Sequence, residues 1–207
     1  MTGHGSVDFF YLPDDTILSG HILVTHLNQL ATRCKSVLVI IESCNSGSLF
    51  QDRENILRHN ILILTSADPR SPSFACYWTS DLMAYLGDEF STAVFENLEK
   101  VDVRRETLSD LYLVTRIETQ MSHVCVYGRK SQLKNAVSEY VGYIEDPYKT
   151  GVNFMNFLSS NTMIPKTVVA APDAQIFGFY QLLLKDKKYT DQYNELFQTH
   201  KKLEQVF

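Results

Sequence analysis

Apolar residues form two kinds of pattern along this chain. Val37-Leu-Val-Ile-Ile41 and Ile61-Leu-Ile-Leu-Thr65 are short, continuous and rich in branched side chains. Each empties into a polar, turn-forming loop, Glu42-Ser-Cys-Asn-Ser-Gly-Ser48 and Ser66-Ala-Asp-Pro-Arg70 respectively. Runs of this kind predict strands buried on both faces. Ser122-His-Val-Cys-Val-Tyr127, stopped by Gly128, predicts a third. Between them apolar positions recur at helical spacing: Leu23, Leu27 and Leu30 within Gly20 to Arg33; Phe90, Val94 and Leu98 within Asp88 to Lys100; Leu108, Leu111 and Tyr112 within Arg105 to Glu118. Strands alternating with helices predict an α/β fold whose mostly parallel sheet is covered on both faces.

Beyond about Lys130 the alternation stops, and Pro147, Pro165 and Pro172 punctuate the chain. Pro172 suits the first turn of a helix running to about Lys185. Thr190 is placed to cap a second helix, with Tyr193, Leu196, Phe197, His200 and Leu203 on one stripe. Residues 1–130 therefore read as one α/β domain, and residues 131–207 as a linker leading into a helical segment.

Composition narrows the possibilities. An apolar content of 44% in 207 residues is ample for a packed core, which excludes disordered and disulfide-scaffold classes. A net charge of -5 without a basic run argues against a nucleic-acid partner. No apolar run approaches the ~20 residues of a membrane helix. The opening Met-Thr-Gly-His-Gly has no basic region or apolar stretch, so a cytosolic protein and a chain lacking its natural beginning are the alternatives. The four cysteines form no CxxC and no metal-ligand spacing with the six histidines, and neither a metal nor another cofactor is expected.

Ligands of open parallel sheets bind beyond the carboxyl ends of the strands, which directs attention to the loop holding Cys44. A cysteine is commonly just a small buried hydrophobe. Ser43, Asn45, Ser46 and Gly47 around Cys44 suit instead an exposed tight turn presenting a nucleophile. Such a thiol needs a proton carrier, and His4 within Gly3-His-Gly5 is the candidate. Glycine beside it allows close backbone approach, so the Gly5 and Cys44 amides could form an oxyanion hole. Glu42 at the end of an apolar strand would be costly without a partner. Asp88, after Gly87 and before a helical pattern, also reads as an ordinary helix cap.

Thr2-Gly-His-Gly-Ser6, Glu42-Ser-Cys-Asn-Ser-Gly-Ser48, Ala67-Asp-Pro-Arg70, Phe74-Ala-Cys-Tyr77, Tyr85-Leu-Gly-Asp88, Glu106-Thr-Leu108, Ser122-His-Val124 and Tyr127-Gly128 resemble, in order, the legumain family of asparaginyl endopeptidases. The resemblance implies a caspase-like three-layer sandwich and a thiol protease. His4 and Cys44 would be the catalytic dyad, Gly5 an oxyanion donor, and Glu42, Ser73 and Asp88 the lining of a pocket for a substrate Asn, or for Asp at acid pH. It further implies polypeptide substrates, no cofactor, a lysosomal or vacuolar zymogen, and a C-terminal pro-segment from about Thr167 that inhibits its own enzyme. The family's opening strands are missing, with the Asn that orients the histidine and the Arg that completes the pocket, so low activity is expected of this chain by itself. Gly3 is similar to the glycosylphosphatidylinositol-anchor transamidase pattern, and Pro72 stands where the family has a pocket Ser. A transamidase or peptide ligase, and a non-catalytic remnant, are the alternative readings.

Overall fold

A computed structural model describes residues 1–143 and 168–204 apart from 15, 80, 81 and 83. Pro147, Pro165 and Thr167, where the linker and the start of the pro-segment were expected, lie outside the described residues. In chain order the elements are β1 (Gly5–Ser6), β2 (Phe9–Tyr11), β3 (Ile17–Ser19), α1 (Gly20–Ala31), β4 (Val37–Ile41), β5 (Ile61–Thr65), β6 (Phe74–Thr79) and β7 (Ala84–Asp88). They continue with α2 (Glu89–Lys100), α3 (Leu108–Glu118), β8 (Cys125–Gly128), α4 (Ser138–Val141), β9 (Val168–Ala170), α5 (Ala174–Lys185) and α6 (Thr190–Glu204). The fold is mixed α/β and divides into two compact units, Met1–Ser73 with Glu89–Pro165, and Phe74–Asp88 with Lys166–Phe207.

In the first unit β4 and β5 pair in parallel, Val37 opposite Ile61 and Ile41 opposite Thr65. Alternation along β5 sends Ile61 and Ile63 into one core with Val37, Val39, Ile41 and the α1 residues Leu23 and Val24. Leu62 and Leu64 enter a second core with Phe90 and Val94 of α2 and Leu108 and Leu111 of α3. Apolar cover on both faces is why the two strands read as unbroken apolar runs. Helix starts follow local chemistry: the Ser19 hydroxyl accepts the Ile22 N–H at 3.4 Å, and Thr107 and Asp110 form a reciprocal capping box at α3.

β8 departs from the expected parallel pairing and runs antiparallel to β5, with Cys125 opposite Thr65 and Gly128 opposite Leu62. Two helices, α2 and α3, intervene between these strands and pack into the same core. The chain therefore re-enters beside the end of β5, with Cys125 next to Thr65, rather than beside its beginning. Among the described residues parallel pairing is confined to β4, β5 and the N-terminal residues, where Thr2 bridges Glu42. β1, β2 and β3 form a separate antiparallel meander.

The second unit holds the antiparallel sheet β7-β6-β9. Phe177 of α5 meets Trp78 and Tyr85 edge-on or tilted, with ring centroids 5.3 and 5.7 Å away. Pro172 lies in a short 3-10 turn that opens α5. Thr190 is the first residue of α6, and its hydroxyl donates to the Lys187 carbonyl. Along the α6 stripe Phe197 stacks on Tyr193, which meets Tyr180 of α5. The side chains of His200 and Leu203 lie outside the described residues.

Candidate active site

Cys44 follows the carboxyl end of β4 and is 5% exposed. Its sulfur accepts the backbone N–H of Ser73 at 3.3 Å and lies 3.7 Å from the Ser73 hydroxyl. The thiol in turn donates to the Ser73 carbonyl at 3.9 Å. The loop around it is held from the next strand's end. Asn45, in the left-handed region at φ 53°, donates its N–H to Ser71 at 2.9 Å, and Gly47 donates to Ala67 at 3.0 Å. The Ser66 hydroxyl accepts the Ser43 N–H at 3.1 Å and faces the Ser43 carbonyl at 3.2 Å.

Register brings His4 to the same end of the sheet. The Glu42 N–H donates to Met1 at 2.8 Å, the Gly3 N–H donates to Glu42 at 3.1 Å, and Thr2 is opposite Glu42 in a parallel bridge. His4 and Cys44 thus each lie two residues beyond the bridged pair, at the ends of neighbouring parallel segments. His4 is exposed whereas Cys44 is buried beneath the loop. The Gly5 backbone rests against the Cys44 backbone so closely that a methyl group on it would sit 2.6 Å from the Cys44 carbonyl oxygen and 2.8 Å from the Ser43 hydroxyl. Only glycine permits this approach.

Glu42 is 3% exposed, and its carboxylate accepts the Ser91 N–H at 2.9 Å and the Ser91 hydroxyl at 3.0 Å. Ser91 is in the first turn of α2, where amides have no intrahelical acceptor and negative charge is favoured. Ser91 was not singled out from the sequence, although a serine in the first turn of a predicted helix is a usable signal. Ser73, expected as pocket lining, is 2% exposed and contacts the Cys44 sulfur. Asp88 is the last residue of β7, opposite Ala75 of β6, and belongs to the second unit.

A cavity of about 740 Å³ opens elsewhere in the first unit, lined by Arg116, His123, Cys125, Tyr127 and Lys130 among others and by none of the candidate residues. Burial pushes the Cys125 thiol and the Tyr127 hydroxyl up. Burial also works to raise the Asp68 carboxyl, but the Arg70 N–H, the Ser71 hydroxyl and N–H, and His123 hold it below the usual carboxylate range. Among the described residues no group of three or more His, Cys, Asp or Glu could hold a metal ion. No described helix is long and apolar enough to cross a membrane.

Comparison with known proteins places relatives over the same stretch. Human legumain is 30% identical over 143 residues, covering 69% of this chain and 33% of the relative. The vacuolar-processing enzyme delta-isozyme of Arabidopsis thaliana is 27% identical over 173 residues, covering 76% of this chain and 36% of the relative. A vacuolar-processing enzyme of Vicia sativa is 25% identical over 215 residues, covering 94% and 42%. The chain spans about a third of the length of the first two. A family model described as the Peptidase C13 family matches residues 1–143, the stretch in which His4 and Cys44 share one end of the sheet, and the chain belongs to that family.

Proposed function

We propose that this chain carries the His-Cys dyad of a legumain-like cysteine endopeptidase that cleaves peptide bonds after Asn, and after Asp when acid protonates it. The carrying observation is the parallel register that sets His4 and Cys44 equally far beyond the Thr2–Glu42 bridge, with Gly5 against Cys44. Cys44 attacks the scissile carbonyl and passes its proton to His4. The Cys44 and Gly5 amides hold the oxyanion. As the tetrahedral adduct collapses to a thioester, His4 returns the proton to the leaving amine; it then deprotonates the water that releases the acid and restores the thiol. The Ser73 N–H steadies the sulfur's negative charge. By the resemblance to legumain, Glu42, Ser73 and Asp88 would receive the substrate Asn, the carboxylates accepting from its side-chain NH₂.

Two relatives are vacuolar-processing enzymes, which supports a vacuolar location; a lysosomal location, a zymogen form and polypeptide substrates rest on the resemblance to legumain. The caspase-like sandwich and the inhibitory role of the tail rest on the same resemblance. At mildly acidic pH an epoxide carrying Asn should label Cys44 alone, and Cys44→Ala should abolish both labelling and cleavage. Labelling spread evenly over Cys34, Cys76 and Cys125 would overturn the assignment.

A further inference from the structure

We infer that Asp8 and Arg53 are positioning residues: their ion pair locks the turn that follows His4 and Gly5 onto the loop that follows Cys44, and so keeps the dyad in register. The inference rests on the proposed dyad chemistry and adds to it two residues outside the reacting centre.

The geometry is specific. Asp8 sits at φ 67°, a left-handed conformation that costs most residues energy and that glycine adopts freely. Its side chain is engaged nonetheless. Arg53 meets the carboxylate with both ends of its fork, Nη1 to Oδ1 at 2.6 Å and Nη2 to Oδ2 at 3.0 Å. The same Nη1 reaches the Leu49 and Ser48 carbonyls at 3.4 and 3.5 Å, at the end of the Cys44 loop. A second tie runs through the backbone. The Asp8 N–H donates to the Ser48 hydroxyl at 2.7 Å, and that hydroxyl donates to the Asn45 carbonyl at 2.6 Å, one residue from Cys44. A third comes from α1, where the Gly20 N–H donates to the Asp8 carbonyl at 3.0 Å. Gly20 has no room for a side chain, since a methyl group there would lie 2.5 Å from Asp8 Oδ1 and 2.8 Å from Arg53 Nη1.

Three backbone segments therefore converge on one bidentate pair. The pair is partly shielded, with side chains 22% and 34% exposed. A forked Arg–carboxylate contact fixes direction as well as distance, unlike a single ammonium contact. His4 is on an exposed segment, and nothing in its own side-chain contacts ties it to the Cys44 loop among the bonds described. The turn at Asp8 supplies that tie three residues after Gly5.

The alternative is that Asp8 merely tolerates its turn. Asp8→Gly separates the two, because glycine suits the left-handed backbone and removes only the carboxylate. The readouts are the pH profile of Cys44 alkylation by iodoacetamide on the whole chain, the kcat and KM for an Asn peptide, and Tm. Positioning predicts that Asp8→Gly and Arg53→Leu lower Cys44 reactivity at mildly acidic pH and kcat by ~10- to 100-fold, with KM little changed and a profile moved towards that of His4→Ala. Arg53→Lys, which keeps the charge but not the fork, should restore part of the loss. Asp8→Gly indistinguishable from the unaltered protein would overturn the clamp while leaving the dyad standing, as would a loss confined to Tm. Identical profiles for the unaltered protein and His4→Ala would instead bring down the dyad, and this inference with it.

Discussion

Glu42 has two claims on its carboxylate. The Ser91 N–H and hydroxyl hold it at the start of α2, and the proposed pocket asks it to accept from a substrate amide. Glu42→Gln keeps one acceptor oxygen but loses the charge that complements the helix end, a loss of about 0.3–2 kcal/mol. Ser91→Ala removes one hydrogen bond, worth about 0.5–1.5 kcal/mol. Both variants should lower Tm, and Glu42→Gln should also reduce the ratio of Asn to Ala cleavage. An unaltered ratio in Glu42→Gln would remove it from the pocket and leave it a helix anchor. Glu42 was legible as a buried carboxylate in search of a partner; the pairing with Ser91 was not, because nothing local links residues 49 positions apart, even though Ser91 falls in the first turn of a predicted helix.

At the level of elements, the Cys44 loop packs directly on β8. A methyl group on Gly47 would sit 2.5 Å from the Tyr127 hydroxyl and 2.9 Å from the Pro69 nitrogen. Gly47→Ala should therefore cost about 1–3 kcal/mol of stability through overpacking, and slow Cys44 alkylation as the loop shifts. Tyr127→Phe in the same protein should recover part of the stability, since it removes the nearer clash and leaves the Pro69 backbone in place. Thermal melts of the single and double variants check this. The three central helices were legible to within a few residues, because an apolar stripe acts locally; the capping residues Ser19 at α1 and Thr107 at α3 were not singled out. The β6–β7 hairpin and the β1–β3 meander were not read as strands, since their short segments carry neither a long alternation nor a two-residue turn signal.

For the whole molecule, pH acts through a buried acid. Glu106 is 6% exposed. Burial pushes its carboxyl up to about 7, with Asn97 opposing and Asp110 reinforcing the shift. A folded-state value above the unfolded one means that the native state binds the proton more tightly. Glu106 thus supports the fold below the ordinary carboxylate range, and that support declines as pH rises through about 7. Tm should fall between pH 5 and 8, and Glu106→Gln should flatten that part of the curve. An equally steep curve in the variant would assign the decline to other groups. The tail also belongs to this scale. β9 pairs with β6 and Phe177 covers Trp78 and Tyr85. Removing residues 168–207 should raise Trp78 accessibility to an aqueous quencher, and unchanged quenching would deny the tail a part in that sheet.

What the sequence determined by itself was local and periodic. Unbroken branched runs mark β4 and β5 because both of their faces are covered, helical stripes mark α1, α2 and α3, and a small-residue loop around Cys44 with a glycine-framed His4 marks the candidate chemistry. Only the tertiary structure decided how these pieces meet. It turned β8 antiparallel to β5, put the Ser73 amide on the Cys44 sulfur across 29 positions, and joined Asp8 to Arg53 across 45. The physical reason is range. Burial preference and backbone propensity are properties of neighbouring residues and can be read along the chain, whereas a hydrogen bond or ion pair between distant residues exists only once packing has set both ends within about 3 Å of each other.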